Sequence, residues 1–346
     1  MPNWKIGAKN LLFMRLFLLD FLGTAPQALL SPSITPRSDL GEIKNQGPKT
    51  RLYGGLPHRR SLVLNFFMLE LTMSFSLKKE VKEILKKYKI FPQKRFGQNF
   101  LINKNIIYKI LESAEIKNDD IVLEIGPGLG FLTKELAKKA KKIIAIEKDI
   151  NMVEILKKEL SDFKNIKIIN QDILKIKNLK IKNYKIVANI PYYITGPIIK
   201  KFLLTKEKPS LMVLMVQKEV AQRIVAKSPK ANFLSIFVQF LADCKIISFV
   251  KKENFFPKPK VDSAIIKLIP KENLDFIFLK NFFIILKAGF LHPRKTILNN
   301  FSEYFKKNKE EIKKVILENN VSDKKRPGEL TIEEWLTLNK VFKNYL

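Results

Sequence analysis

The chain has 346 residues, 64 Lys+Arg against 33 Asp+Glu, a formal net charge of +31, two histidines and one cysteine. Cys244 alone can form neither an internal disulfide nor a thiolate zinc cluster, and His58 and His292 cannot make a multi-histidine site, so no metal centre is expected. The length suits two or three domains, the single cysteine fits a reducing, cytoplasmic setting, and the charge points to a polyanionic partner, nucleic acid first.

Residues 1–72 hold nine basic and four acidic side chains, so the basic excess belongs to the remainder. The apolar stretch 11–22 is short and interrupted by Arg15 and Asp20, whereas a membrane span needs about 20 largely uncharged residues; no membrane association is expected. Residues 31–60 scatter Pro, Gly and Ser without a period and read as disorder. The segment 1–72 is therefore expected to be a non-native or disordered extension, with translation beginning at Met73 or Met68. Residues 77–88 then form an amphipathic helix, with Leu77, Val81, Ile84, Leu85 and Tyr88 on one face.

From about 120 to 270, short apolar runs alternate with helical stretches. Strands are predicted at 121–125, 143–147, 166–170, 185–189, 211–217, 245–250 and 264–269, with helices at 131–140 and 152–160. This alternation argues for a doubly wound α/β sheet, and the last two strands, with no clear helix between them, for an antiparallel pair. After Pro270 the pattern is helical, over 276–289, 295–307, 310–319 and 332–345. The expected organisation is thus 1–72 as extension, 73–270 as an α/β domain and 271–346 as a small helical domain. No coiled-coil pattern appears, and a monomer is expected.

Three sheet-edge features carry chemistry. The run Ile121-Val-Leu-Glu-Ile-Gly-Pro-Gly-Leu-Gly130 is a strand entering a glycine turn and then a helix. Glycines let a backbone approach a ligand at a helix N-terminus. A dinucleotide fingerprint requires G-x-G-x-x-G, but position 131 is Phe, so the spacing suits a smaller ligand without a pyrophosphate; a tight strand–helix turn would use the same glycines. Glu147 closes the second strand, where this type of fold places a carboxylate against ribose hydroxyls, and Asp172 follows the third, where it could accept from an adenine amino group. Asn189-Ile-Pro-Tyr192 follows the fourth. The Asn189 side-chain oxygen and the Ile190 carbonyl could hold the two hydrogens of an exocyclic adenine amine, Pro191 stiffens the loop, and Tyr192 offers a stacking face.

Together these residues resemble the S-adenosylmethionine-dependent methyltransferases. More narrowly, over about 90–340, they resemble the ribosomal RNA adenine N6,N6-dimethyltransferase family of the kasugamycin-sensitivity type. Lys94-Arg-Phe-Gly-Gln-Asn-Phe-Leu101 is similar to that family's N-terminal cofactor motif, Gln217-Lys-Glu-Val-Ala-Gln-Arg223 to its post-strand helix, and Phe255-Phe-Pro-Lys-Pro-Lys-Val-Asp-Ser263 to its late loop. Arg294-Lys-Thr296 and Arg326 with Glu329-Leu330 echo its C-terminal domain. The resemblance implies a Rossmann-like mixed sheet with a C-terminal helical, RNA-binding domain. It implies S-adenosylmethionine held by Asn99, Leu101, Gly126, Gly128, Glu147, Asp172 and Asn189, and a target-amine site of Asn189, Pro191 and Tyr192 with Phe255 as second stacking face. The implied reaction is double methylation of adenine N6 in small-subunit ribosomal RNA or the immature small subunit, with RNA contacts around Lys258, Lys260, Arg294 and Lys295. A large-subunit enzyme of the erythromycin-resistance type and a ribosome-assembly factor with secondary methylation are the alternatives.

Overall fold

The computed structural model describes residues 77–177, 179–271 and 275–345, which all belong to one compact unit. The expectations for 1–72 and Met73 lie outside the described residues. Helix α1 (77–87) buries Leu77, Val81, Ile84 and Leu85, the face its spacing predicts. Val81, Ile84 and Leu85 pack with Phe100, Leu129, Met152 and Ile155, so the helix lies over the segments that follow the first strands of the sheet. Tyr88 Oη and Lys87 Nζ both donate to Glu159, each at 2.8 Å, and pin its end.

The central sheet has seven strands in the order β4-β3-β2-β5-β6-β9-β7, comprising β2 (Ile121–Ile125), β3 (Lys142–Glu147), β4 (Ile166–Asn170), β5 (Tyr184–Asn189), β6 (Leu211–Gln217), β7 (Ala242–Val250) and β9 (Ser263–Pro270). A strand stands at each of the seven predicted places. The first five run parallel, and β9 lies antiparallel between β6 and β7, as the missing helix between the last two strands implies. Central parallel strands are covered on both faces and read as continuous apolar runs; six of the seven residues of β6 are buried. A separate two-stranded ribbon pairs β1 (Phe100–Leu101) with β8 (Phe255–Phe256), matching Phe100 with Phe256 and Leu101 with Phe255.

The helices of this layer are α2 (Lys104–Ala114), α3 (Phe131–Ala137), α4 (Ile150–Glu159), α5 (Thr195–Leu204), α6 (Lys218–Val225) and α7 (Phe233–Leu241). Helices α2, α5 and α7 are additions to the sequence reading. In α2, Ile106, Ile107, Ile110, Leu111 and Ala114 are buried, a 3.6-residue period set between the cap of Asn103 and the left-handed Glu115.

The C-terminal helices are α8 (Phe276–Gly289), α9 (Ile297–Phe305), α10 (Lys309–Glu318) and α11 (Ile332–Val341), each within two residues of its expected start. The starts follow the caps: Asp275, Thr296, Asn308 and Thr331 each accept a backbone N–H of the first turn. Phe282, Phe301, Trp335 and Phe342 are wholly buried here. Phe240 of α7 stacks on Phe282 of α8 at 3.9 Å between ring centroids, joining the helices to the sheet layer.

Candidate active site

The chain leaves β2 for β3 and β4 on one side, then crosses to β5 and β6 on the other. The crevice of such a sheet opens at the carboxyl ends of the strands where the direction of winding reverses, here between β2 and β5. An open cleft lies there, lined by Asn99, Leu101, Gly126, Gly128, Glu147, Asn189, Pro191 and Tyr192. Eight of the ten predicted site residues therefore share one cavity.

The glycine turn forms its floor. Gly126 and Gly128 take φ of 66° and 59°, a region that L side chains avoid. A Cβ at Gly128 would lie 3.1 Å from Phe100 Cε1. The Gly126 N–H donates to the Ile146 carbonyl at 2.9 Å, stitching the turn to β3.

Glu147 is 8% exposed, and its two oxygens accept from backbone N–H groups, Oε2 from Gly128 at 3.2 Å and Oε1 from Asp149 at 2.9 Å. Burial pushes this carboxyl up, and those donors hold it back. Further lone pairs remain to accept the two hydrogens of a ribose diol. Asp149 caps α4 through Asn151 and accepts from Gln98 Nε2 at 2.7 Å, bringing the segment before β1 to the carboxylate end of the cleft.

Across the cleft, Asn189 ends β5 and its Nδ2 donates to the Asn99 carbonyl at 3.1 Å. Pro191 stands near the glycine turn, its Cδ 3.7 Å from where a Cβ on Gly126 would be. Tyr192 opens a short 3₁₀ turn, and its hydroxyl is 2.6 Å from Ser263 Oγ at the start of β9.

Asp172 and Phe255 are not among the residues lining the cleft. Asp172 pairs with Lys148 at 3.0 Å and accepts from Leu174 N at 2.9 Å. Burial alone would raise its carboxyl, but the Lys148 ammonium and the backbone donor outweigh it and hold it below the usual range. Phe255, 3% exposed, sits in the main hydrophobic cluster beside its ribbon partner Leu101.

One acidic lining residue escaped the sequence reading: Glu124, fourth in the apolar run 121–125 and 1% exposed. A carboxyl inside an otherwise aliphatic strand was the available signal, because buried acids require a partner. Its Oε2 is buried without a hydrogen-bond partner. Burial pushes the group up to about 8, the Thr133 side chain opposes this, and the charge of Glu147 adds to it. Among the described residues no cluster of three or more acidic, His or Cys side chains could hold a metal, and no helix is long and apolar enough to cross a membrane.

These residues fit a nucleoside carrying a positive charge and no pyrophosphate: a glycine floor a Cβ would obstruct, a buried carboxylate with free lone pairs, and a second carboxyl with an orphaned oxygen. Fold and cleft define a Rossmann-like, S-adenosylmethionine-dependent methyltransferase. A sequence profile described as ribosomal RNA adenine dimethylase matches residues 92–344. The chain is 48% identical over 248 residues to a ribosomal RNA small subunit methyltransferase A of Mycoplasmopsis pulmonis, covering 71% of this chain and 97% of that one. It is 41% identical over 271 residues to the protein so named in Clostridioides difficile, covering 75% and 94%. Among solved structures it is similar to a dimethyladenosine transferase from Plasmodium falciparum, at 31% identity and a TM-score of 0.61, covering 71% and 98%. It is also similar to the 23S rRNA methyltransferase ErmE, at 27% identity and a TM-score of 0.60, covering 70% and 99%. The chain belongs to the ribosomal RNA adenine dimethylase family.

Proposed function

We propose that this enzyme dimethylates N6 of adjacent adenines in a 3′-terminal hairpin of small-subunit ribosomal RNA, as a cytoplasmic monomer acting on the immature small subunit during ribosome assembly. In this reading residues 73–270 carry the chemistry and 271–346 hold RNA. The observation that carries it is the position of Asn189, Pro191 and Tyr192 on the wall facing Gly126, Gly128 and Glu147 within one cleft. The 48% and 41% identical relatives, both named for the small subunit, support that target over the large subunit.

Bound S-adenosylmethionine supplies an activated methyl group. Glu147 holds the ribose hydroxyls, and the glycine turn brings backbone against the ligand's amino-acid end. The target adenine, out of its stack, lies on Tyr192. The Asn189 side-chain oxygen and the Ile190 carbonyl accept the N6 hydrogens, which orients the nitrogen lone pair toward the methyl carbon. Catalysis then comes from positioning, and the ammonium formed loses its proton afterwards. Phe255 supports the site from the core side, behind Leu101.

The test is transfer of radiolabelled methyl to unmethylated small subunits, large-subunit rRNA and duplex DNA, with Asn189→Ala as control. Dimethyladenosine in the small subunit alone, lost in the variant, is expected. Label in large-subunit rRNA would transfer the enzyme to the other branch. Tight subunit binding without label would leave an assembly factor.

A further inference from the structure

Helix α1 buries one flank and exposes a basic one. Lys78, Lys82 and Lys86 recur at i, i+4 and i+8, so they form a single stripe, about 6 Å apart along the axis. All three are exposed, and among the described residues none forms an ion pair. The acids of the helix stand off the stripe, where Glu83 pairs with Lys79. Like charges at this spacing weaken a helix, so the stripe costs stability and returns none within the chain.

The stripe borders the candidate site. Lys82 Nζ lies 5.9 Å from the centroid of the Phe256 ring. The ribbon pairs Phe256 with Phe100, which closes on Gly128 in the cleft floor, and then leads into the loop of Lys258 and Lys260. Past the helix, Phe91 is 84% exposed, the most exposed large apolar side chain among the described residues. Its segment is held at both ends: Ile90 N donates to the Leu85 carbonyl at 3.0 Å, and Gln93 N to Oε1 of Gln98, a residue of the cleft wall, at 2.8 Å. Exposed Lys89 and Arg95 flank it in the chain. An aromatic face kept in water beside unpaired cations is complementary to a polyanion that carries flat bases.

We propose that α1 and Phe91 form a docking surface for the RNA strand flanking the target adenine, with Lys78, Lys82 and Lys86 against its phosphates and the Phe91 ring stacked on an unpaired base. The inference rests on the reading of the cleft as an RNA adenine site, and it adds an RNA surface outside the C-terminal helices and the loop of Lys258 and Lys260. A strand with one base in the cleft carries its neighbouring phosphates and bases outside, where the ribbon and α1 form the border. The two kinds of side chain then act differently. Ammonium groups that neutralise phosphates release counterions, so they set both affinity and its dependence on salt. Stacking on Phe91 accepts any base by its face and releases no counterion.

The experiment measures binding of the full chain to unmethylated small subunits by filter retention across a salt series, with S-adenosylmethionine affinity as the check on folding. The triple variant Lys78→Gln, Lys82→Gln, Lys86→Gln is expected to bind subunits about tenfold or more weakly and to lower the salt slope by about 2–3, with S-adenosylmethionine bound as in wild type. Phe91→Ala is expected to lose about fivefold or more in affinity at an unchanged slope. Lys139→Gln, Lys141→Gln, Lys142→Gln removes the same charge at the amino end of β3, away from the cleft, and should stay within about threefold of wild type. Equal losses in the two triple variants would mean that net charge alone attracts the RNA, and would overturn the inference. Wild-type affinity and slope in the α1 variant would do the same. Phe91→Ala at wild-type affinity would remove the stacking contact. A wild-type chain that does not bind small subunits would overturn the target reading and this inference with it.

Discussion

Asn189 reaches across 90 residues of sequence to donate its side-chain amide to the main-chain oxygen of Asn99, at 3.1 Å. That bond fixes which way the amide faces. Its nitrogen is turned toward the segment just before β1, which leaves its oxygen for the acceptor role proposed above. One side chain therefore ties two walls of the cleft together.

Asn189→Ala removes both roles, and methyl transfer should fall about 100-fold or more, as displacements of an ångström at a reacting centre do. Asn189→Asp separates them. A carboxylate keeps an acceptor for the amine but cannot donate to the Asn99 carbonyl, and it places two oxygens in repulsion. Turnover should drop to a similar extent and S-adenosylmethionine should bind several-fold more weakly, measured by single-turnover transfer and by calorimetry. An Asp variant at near wild-type rate would remove the Asn99 contact from the mechanism.

Gly128 combines a left-handed backbone at φ 59° with close approach of Phe100. Gly128→Ala should destabilise the fold by about 1–2 kcal/mol through backbone strain alone, and should weaken the cofactor further by shifting the N–H that holds Glu147. Gly196, in the first turn of α5, has nothing within 4 Å of an added Cβ and no left-handed φ. Gly196→Ala should instead stabilise by up to about 1 kcal/mol. Urea unfolding of the two variants beside wild type tests the opposite signs.

Tyr192 and Ser263 meet through their hydroxyls at 2.6 Å, with Ser263 wholly buried at the start of β9. The bond sets the tilt of the ring proposed to carry the target base. Tyr192→Phe keeps the ring and loses its tether, so turnover should fall less than tenfold with cofactor affinity unchanged. Tyr192→Ala removes the stacking face, worth about 1–3 kcal/mol per base, and should raise KM for RNA together with a lower kcat. Equal kinetics for the two variants would mean that the ring has no contact with the base.

Sequence pattern disclosed the sheet because its strands are short apolar runs bounded by breaks, and it brought Gly126, Gly128, Glu147 and Asn189 into one cleft because all stand at the carboxyl ends of parallel strands. Pattern says less where position depends on pairing between distant segments. Phe255 reads as a loop aromatic available for stacking, but its pairing with Leu101 carries it into the core, and nothing local in either segment announces a two-residue ribbon. Asp172 reads as a ligand acid; the fold adds a pairing with Lys148, just past the end of β3, that its own segment does not announce. Glu124 was legible as a charge within an aliphatic strand; only the fold reveals that no cation comes to meet it.

Glu124 also sets a pH dependence of stability whose sign is opposite to that of a salt-bridged acid. In the unfolded chain its carboxyl loses its proton near the ordinary value of 4.5, whereas in the folded protein it keeps the proton up to about 8. Between these limits the folded state binds more protons than the unfolded state, so stability falls as pH rises, by up to about 1.4 kcal/mol per pH unit. Glu147, also raised by burial, adds a slope of the same sign. Glu124→Gln mimics the protonated form and removes only the Glu124 contribution. The difference in unfolding free energy between wild type and Glu124→Gln, followed from pH 5.5 to 8, should therefore move steadily in favour of the variant. A difference independent of pH would mean that Glu124 is already ionised at pH 5.5 and has a counter-charge in the free protein.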